Sequence, residues 1–593
     1  MHCLSQSLCE GIKRLSLINT EYDVVIIGGG PAGSTMGAIL LKYFPTAKVL
    51  ILEREVFPRE HVGESQLPPV TLVLEEMGCW DKVEAAGFPV KTGALYRWGN
   101  SDDLWRFDFL VGQDYDDRPR PGQLEGQRYQ TTFHVERAIF DEILLDHAAE
   151  LGCEVCEGTK VTKIHRDGDR VEVIKVEGAC MPVGADDDGW VRAKHFVDAS
   201  GHIGVLRRTL EVPVIEPTSL KNIAIWRYWK SDDWADMDGV GKGGVRVRVM
   251  SLGNGWIWFI PISKDVTSVG FVTHAEHYKQ SGLSVADLYA QAIGTDPHIV
   301  ELLSNAMPAG EIRSTKDWSF LAGKMTGKNW MLVGESAGFA DPILAGGMAL
   351  AMVGAREAAY LHVALLQGDL EEDWLKDWYA ETQTRRISQH IKFADYWYSA
   401  NGHFSDLQAY TSQIAAEAGL SLNPREAFQW LGTGGFVSDD LTSPVVGTYR
   451  LGAVKSAMQI LSGLPATWEV NKSNHFTLNL DGCSVVQVPH CRDGKIDKVK
   501  CYRRGTSLLP MVGIYRMVFR ALSRANDAAA FVKELKSTIA ATKEITEPYN
   551  ALLGALEALE GMVTEGWVTP AVHEGRPFMN VTLDEASVSM AGR

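Results

Sequence analysis

At 593 residues and 45% hydrophobic content, the chain is too long for one ordinary domain and can fill several cores. Its formal charge of -17, with no run of Lys and Arg, argues against nucleic acid or an anionic membrane as a partner, since both demand basic surface. No stretch reaches about 18 uninterrupted apolar residues, residues 1–20 carry no secretory pattern, and nine scattered Cys fit a reducing cytoplasm, not a disulfide framework. Cys153 and Cys156 form one CxxC with no second pair nearby, so no metal is expected and the segment reads as plain strand.

The first predicted element is the strand Tyr22-Asp23-Val24-Val25-Ile26-Ile27, which ends at Gly28-Gly29-Gly30-Pro31-Ala32-Gly33. A helical pattern follows to Leu41, and a second apolar strand, Val49-Leu50-Ile51-Leu52, ends at Glu53. Strand, glycine turn, helix, strand and acid in this order predict a dinucleotide site. The glycines let backbone N–H groups approach a pyrophosphate at a helix N-terminus, and Glu53 can accept from ribose hydroxyls. Two more apolar runs end in an acid near glycine: Phe196-Val197-Asp198-Ala199-Ser200-Gly201 and Trp330-Met331-Leu332-Val333-Gly334-Glu335. A single nicotinamide-binding unit gives no reason for them. A large FAD fold uses such segments to close over the adenosine and hold the ribityl chain, so the expected cofactor is FAD.

Between residues 222 and 273, alternating runs such as 245–250 and 266–272 predict an antiparallel sheet. Within it, Trp256-Ile257-Trp258-Phe259-Ile260-Pro261 puts both indoles on one face and Ile257 and Phe259 on the other, and Pro261 cannot donate to a ladder. These six residues describe either a core strand with its aromatics packed inside or a rigid aromatic wall. From Ala355 to about Phe436 the pattern turns helical, and its cluster Phe393, Tyr396, Trp397 and Tyr398 reads as core before substrate pocket. Further on, Phe531, Leu535 and Ile539 recur every four residues and apolar residues crowd 552–562, which predicts packed helices. The expected architecture is α/β. A Rossmann-like FAD-binding domain covers 20–215, completed by 325–365; an antiparallel-sheet substrate domain covers 216–324; a mainly helical region covers 366–593.

In residues 28–33, in Arg59, in the run 61–68 (His-Val-Gly-Glu-Ser-Gln-Leu-Pro) and in Phe88-Pro89-Val90-Lys91-Thr92-Gly93-Ala94, the chain resembles the flavin-dependent halogenases. These are a branch of the FAD monooxygenase superfamily with the para-hydroxybenzoate hydroxylase type of fold. His134-Val135-Glu136-Arg137, the strand 256–261 and Phe339-Ala340-Asp341-Pro342 carry the likeness further, from about Tyr22 to Leu361, and it fades after Pro444.

The resemblance implies reduced FAD (FADH2), oxygen, and chloride or bromide as co-substrate, with hypohalous acid as the oxidant. The substrate it implies is an electron-rich aromatic of phenol or pyrrole type, free or held on a carrier protein. Expected FAD contacts are Gly28, Gly30, Ala32, Gly33, Glu53, Arg54, Arg137, Asp198 and Glu335. Lys91 matches the family's essential lysine and is the expected catalytic residue, holding and aiming hypohalous acid. Trp256, Trp258 and Pro261 are the expected wall between flavin and substrate. Relatives acting on phenols and pyrroles carry Ser-Ser-Gly a few residues after the Pro of the 339–342 loop, where this chain has Ala345-Gly346-Gly347. Halide is then expected on the backbone N–H groups of Gly346 and Gly347 at the start of a helix. The missing hydroxyls leave a second reading open: an FAD monooxygenase, or a geranylgeranyl-reductase-like flavoprotein, without halogenation. With one complete fingerprint, already used by FAD, the electrons are expected from a separate flavin reductase. The expected setting is cytoplasmic secondary metabolism.

Overall fold

The computed structural model describes residues 21–593 except 99–103, 111–113, 217–220, 233, 235–243, 400–444, 447–448, 451–467, 506, 543–544, 546–547, 583–586 and 592–593. The N-terminal tail therefore lies outside the described residues, as do the side chains of Phe393, Tyr396 and Trp397. The chain divides into two compact units, the first made of residues 21–97, 116–395 and 493–495, the second of 98–115, 396–492 and 496–593.

Among the described residues the first unit holds a small antiparallel sheet of Val214–Ile215, Phe320–Ala322 and Gly338–Phe339 and two large sheets. One is the dinucleotide sheet, in the order Glu154–Cys156, Val49–Leu52, Glu21–Ile27, Trp190–Asp198, Arg170–Gly178, Thr159–Asp167, with Trp330–Leu332 pairing on Trp190–Asp198. Its central strands run parallel, Val24 opposite Val49 on one side and His195 on the other. They are buried on both faces, which is why they read as unbroken apolar runs without alternation. Helix Pro31–Tyr43 packs on this sheet, and Gly347–Gln367 packs along that helix, with His362 edge-on to His195 of the sheet. The second helix is long and apolar enough to cross a membrane, but it is mostly buried inside the unit, as a core helix is.

The other sheet runs Met307–Trp318, Lys221–Lys230, Val266–His274, Gly255–Pro261, Gly244–Leu252, Val90–Arg97. Its first five strands are antiparallel neighbours, as expected from their alternation. Two features depart from expectation. Gly244–Leu252 pairs in parallel with Val90–Arg97, so the sheet is mixed. Residues 90–133, placed by sequence in the FAD-binding stretch, contribute Val90–Arg97 and Thr132–Phe133 to this second sheet instead. Local pattern cannot reveal a partner some 150 residues away, and the short connections around these strands resemble those of the dinucleotide fold.

The second unit packs the helices Gly513–Leu522, Ala528–Ala541 and Pro548–Thr564 around Trp468, Phe476, Leu509, Leu556 and Trp567. Phe531, Leu535 and Ile539 are buried on one stripe, as their spacing predicts. Helices were expected from 366 onward. Strands His475–Leu478, Ser484–Arg492, Lys495–Arg504, Ser507–Pro510, Val568–Ala571 and Phe578–Thr582 share that region with them. Their polar, exposed alternate residues had given no apolar run to detect.

Candidate active site

The dinucleotide cradle follows from the glycines. Gly28 has φ +113°, and a Cβ there would stand 2.3 Å from the Ala199 carbonyl oxygen. A Cβ on Gly33 would stand 1.9 Å from the carbonyl oxygen of Gly28. Gly30 caps Pro31–Tyr43 with no side chain, so the first-turn N–H groups of that helix face outward with nothing of their own to bond. Such a cradle suits a pyrophosphate, and FAD fits it. The Arg59 guanidinium reaches 3.3 Å from the position of a Gly30 Cβ, lies over Phe57, and is held by Asp141 at 3.2 Å. Arg59 enters the sequence reading only as part of a motif; the structure places its guanidinium beside the helix start.

Glu53 is nearly buried and accepts from Gly29 N–H at 2.8 Å and Glu55 N–H at 2.9 Å, so it closes the glycine loop while keeping further acceptor positions on its two oxygens. Arg54 is solvent-exposed and paired with Glu55 at 3.1 Å. Arg137 is buried and forks onto Asp141 at 2.7 and 2.8 Å, with a third bond to Val62 O at 2.7 Å. Burial opposes its charge, but the Asp141 carboxylate outweighs burial and holds the guanidinium protonated.

Asp198 corrects an expectation. Ser200 N–H and Oγ, Leu206 N–H and Arg207 N–H all donate to its carboxylate, at 3.1, 2.6, 2.8 and 3.1 Å. It is a clamp on its own backbone. Its immediate neighbourhood still serves the cradle: Gly201 and Glu335 are brought together, Glu335 Oε2 lying 3.6 Å from the position of a Gly201 Cβ, and Gly334 (φ +67°) stands against Ala32. Burial raises the Glu335 carboxyl, opposed by His202 and Arg137.

In the second sheet, Trp256 and Trp258 lie on one face with ring centroids 5.9 Å apart. Ile257 and Phe259 point to the other, into a core with Trp234, Leu288 and Ile299. Trp258 is fixed twice: its indole N–H donates to Ser268 Oγ at 3.1 Å, and its ring covers Gly270, where a Cβ would stand 2.1 Å from it. Lys91 is 2% exposed and donates to Gln66 O at 2.7 Å. Burial alone lowers its pKa to about 7. Lys91 stands opposite Thr132 in register, which puts His134, two residues on, on the same face. His134 is buried, Nδ1 lies 2.9 Å from Pro261 O, and burial followed by the Lys91 charge holds it well below the usual range for histidine. Ser65 Oγ, Gln66 Nε2 and His134 Nε2 are buried without a hydrogen-bond partner among the described residues. With Lys91 bonded to the Gln66 carbonyl, these buried atoms make a polar spot in apolar surroundings. Lys91 was found from sequence; His134 and Gln66 were not singled out, although both lie in motifs that had been noticed.

The 339–347 loop is shaped by Asp341, whose Oδ1 accepts from Ile343 N–H at 2.9 Å and starts the turn Pro342–Leu344. The chain then passes Ala345 at φ +56° and enters the helix at Gly347, with Gly346 as an N-cap lacking any side-chain bond. Gly346 and Gly347 thus do stand at a helix N-terminus, but neither uses a glycine-only backbone; the left-handed residue is Ala345. Loop and helix start line a small cleft with Phe339, Leu350, His390 and Ala394. His390 went unremarked in the sequence. Its Nδ1 lies 2.8 Å from Arg386 O, and burial lowers its pKa to about 4.

A model of the FAD binding domain family matches residues 21–394. The chain is 31% identical over 355 residues to a tryptophan 2-halogenase of Chondromyces crocatus, covering 59% of this chain and 63% of that one. It is 33% identical over 348 residues to the 1H-pyrrole-2-carbonyl-[peptidyl-carrier protein] chlorinase of Pseudomonas fluorescens, covering 57% and 75%. Among solved structures it is similar to the flavin-dependent halogenase CmlS, with a TM-score of 0.69 over 94% of this chain and 97% of the other at 23% identity, a likeness of fold. It is also similar to the flavin-dependent brominase Bmp2, with a TM-score of 0.56, 26% identity, and coverage of 67% and 92%.

Proposed function

The chain belongs to the flavin-dependent halogenases, and on that premise we propose that it halogenates an electron-rich aromatic, of phenol or pyrrole type, using FADH2, oxygen and chloride or bromide. The observation that carries the reading is the buried Lys91, set among unpartnered polar atoms and joined through His134 to the end of the double-Trp strand. Bound FADH2 would supply the oxygen activation that converts halide to hypohalous acid. The chain's own residues then divide the work. The 28–33 turn, Arg59, Glu53, Arg137 and Glu335 hold the cofactor. Trp256, Trp258 and Pro261 keep an aromatic substrate from meeting the oxidant at the flavin. The first-turn N–H groups at Gly346 and Gly347 hold halide by partial positive charge. Lys91 Nζ donates to the oxygen of hypohalous acid and directs its halogen outward, in a dry site where one N–H counts for more than in water. The reading without halogenation, as a hydroxylase or a geranylgeranyl-reductase-like flavoprotein, is not favoured, since the similar enzymes named above are halogenases.

The same reading includes a separate flavin reductase, a cytoplasmic setting, and a substrate that arrives free or on a carrier protein. The carrier follows the similarity to an enzyme named for a carrier-bound pyrrole. The test supplies purified chain with a flavin reductase, NADH, oxygen and bromide, and offers phenols, indoles and pyrroles, free and as carrier thioesters, with mass spectrometry as the readout. A product heavier by one bromine supports it. Hydroxylated product, or peroxide alone across the whole panel, overturns it. Rapid reduction of bound FAD by NADH alone would remove the separate reductase.

A further inference from the structure

Cys156 and Cys180 are absent from every role described so far, yet their sulfurs lie 2.8 Å apart. That is closer than two non-bonded sulfurs rest, and under ~1 Å from the ~2.05 Å of a disulfide. The approach is built, not incidental, because four contacts hold the segment after Arg170–Gly178 against the end of Glu154–Cys156. Thr159 Oγ donates to Cys180 O at 2.5 Å, and Ala179 N–H donates to Gly158 O at 3.2 Å. Val183 N–H donates to Glu154 Oε1 at 2.5 Å, and the Tyr22 hydroxyl bridges Glu154 Oε2 at 2.6 Å and Gly184 N–H at 2.9 Å. The pair is also asymmetric: Cys156 is buried at 1% exposure, while Cys180 is partly open to solvent. Finally, it adjoins the cradle, since Cys156 O accepts from the N–H of Glu53 at 2.9 Å.

We propose that Cys156 and Cys180 form a reversible disulfide in response to hypohalous acid, the oxidant this enzyme class makes. In the first step a lone pair of Cys180 Sγ attacks the halogen, the O–X bond breaks, and the hydroxide leaves as water with the thiol proton. In the second, Cys156 Sγ attacks Cys180 Sγ, halide departs, and the Cys156 proton is released. Two thiols and one hypohalous acid give one disulfide, one halide, one proton and one water, with two electrons passing from sulfur to halogen. Hydrogen peroxide, which a flavin oxygenase can release, reaches the same product through a sulfenic acid with loss of two waters. The consequence is a pair that diverts stray oxidant next to the flavin cradle into a bond that thiols can undo. The supply of oxidant rests on the proposed function; the reactivity of the pair does not, and the two fail separately.

The experiment treats the purified chain with one equivalent of added hypobromous acid, blocks free thiols, digests without reduction and reads peptides by mass spectrometry. The expected result is a Cys156–Cys180 linked peptide, lighter by two hydrogens, lost on adding dithiothreitol, and absent in Cys180→Ser. The bond closes a loop of about two dozen residues, so the oxidised parent should unfold a few degrees higher than the reduced one. A parallel arm with hydrogen peroxide separates the oxidants: a link formed by hypobromous acid alone or by both supports the proposal. Sulfinic or sulfonic acid at Cys180 with Cys156 still blockable, or consumption of Cys79 and Cys153 with no link, overturns it. So does a link that only peroxide forms.

Discussion

His134 Nδ1 lies 2.9 Å from the carbonyl oxygen of Pro261. A carbonyl can only accept, so Nδ1 carries the proton and Nε2 is left as a buried acceptor, on an imidazole that feels the Lys91 charge. One imidazole thereby ties the end of the aromatic strand to the residue that is proposed to use it, and the chemistry of Lys91 becomes a property of the wall as well as of the lysine.

Lys91→Met should bind FAD and consume oxygen at parental rates, release peroxide, and give at least a hundredfold less halogenated product. It should also be more stable than the parent, in a pH-dependent way. The Lys91 pKa is about 7 in the fold against 10.5 unfolded, so the unfolded chain binds the extra proton between these values and parental stability falls as pH drops from 10.5 to 7. The gain in Lys91→Met is therefore largest below pH 7, with an upper bound of about 5 kcal/mol, and it vanishes toward pH 10.5. Denaturation midpoints at pH 6 and pH 10 check the sign.

Gly270→Ala places a Cβ 2.1 Å from the Trp258 ring and must push the indole off its bond to Ser268. FAD binding should survive, because the cradle belongs to the other sheet. Product per oxygen consumed should drop several-fold, with peroxide rising to match, and the oxygen electrode read against product yield measures it. Unchanged coupling would mean the indole wall does not direct the oxidant.

Gly33→Ala sets a methyl 1.9 Å from the Gly28 carbonyl oxygen, backbone against which nothing can yield cheaply. FAD affinity should fall by two orders of magnitude or more by fluorescence titration. Arg54→Ala, changing an exposed side chain paired only with Glu55, should leave it within a factor of two.

Ala345 holds the left-handed backbone of the 339–347 loop, where halide is proposed to bind, at a cost of roughly 1 kcal/mol for an L side chain. Ala345→Gly should preserve bromide dependence and stabilise slightly. Ala345→Val should raise the half-saturating bromide concentration at least tenfold, since a β-branched residue resists that φ. Gly347→Ala should change little, its Cβ meeting only Phe339 at 3.5 Å. Product formation against bromide concentration separates the three.

The dinucleotide turn was legible because its geometry is local: strand, glycines and acid lie within about thirty residues, and each glycine answers to a neighbour in that span or to the strand beside it. The facing of Trp256 and Trp258 was legible for the same reason, from the alternation of a single strand. Asp198 misled because an acid at a strand end looks alike whether it binds a ribose or caps its own backbone, and only the bonds to Leu206 and Arg207 tell them apart. The bond from His134 to Pro261, the pairing of Lys91 with Val245 and the place of His390 beside the 339–347 loop join segments farther apart in sequence. No local periodicity records them.

The parallel pairing of Lys91 with Val245 sets a schedule for biosynthesis. A ribosome adding about 5–20 residues per second makes Lys91 roughly ten to thirty seconds before its neighbouring strand exists. Through that interval the edge of its strand that Gly244–Leu252 will cover is open. Lys91 is buried only when the Gly244–Leu252 strand closes the sheet on it, so a chain arrested before residue 245 would carry the dinucleotide fingerprint without a buried Lys91.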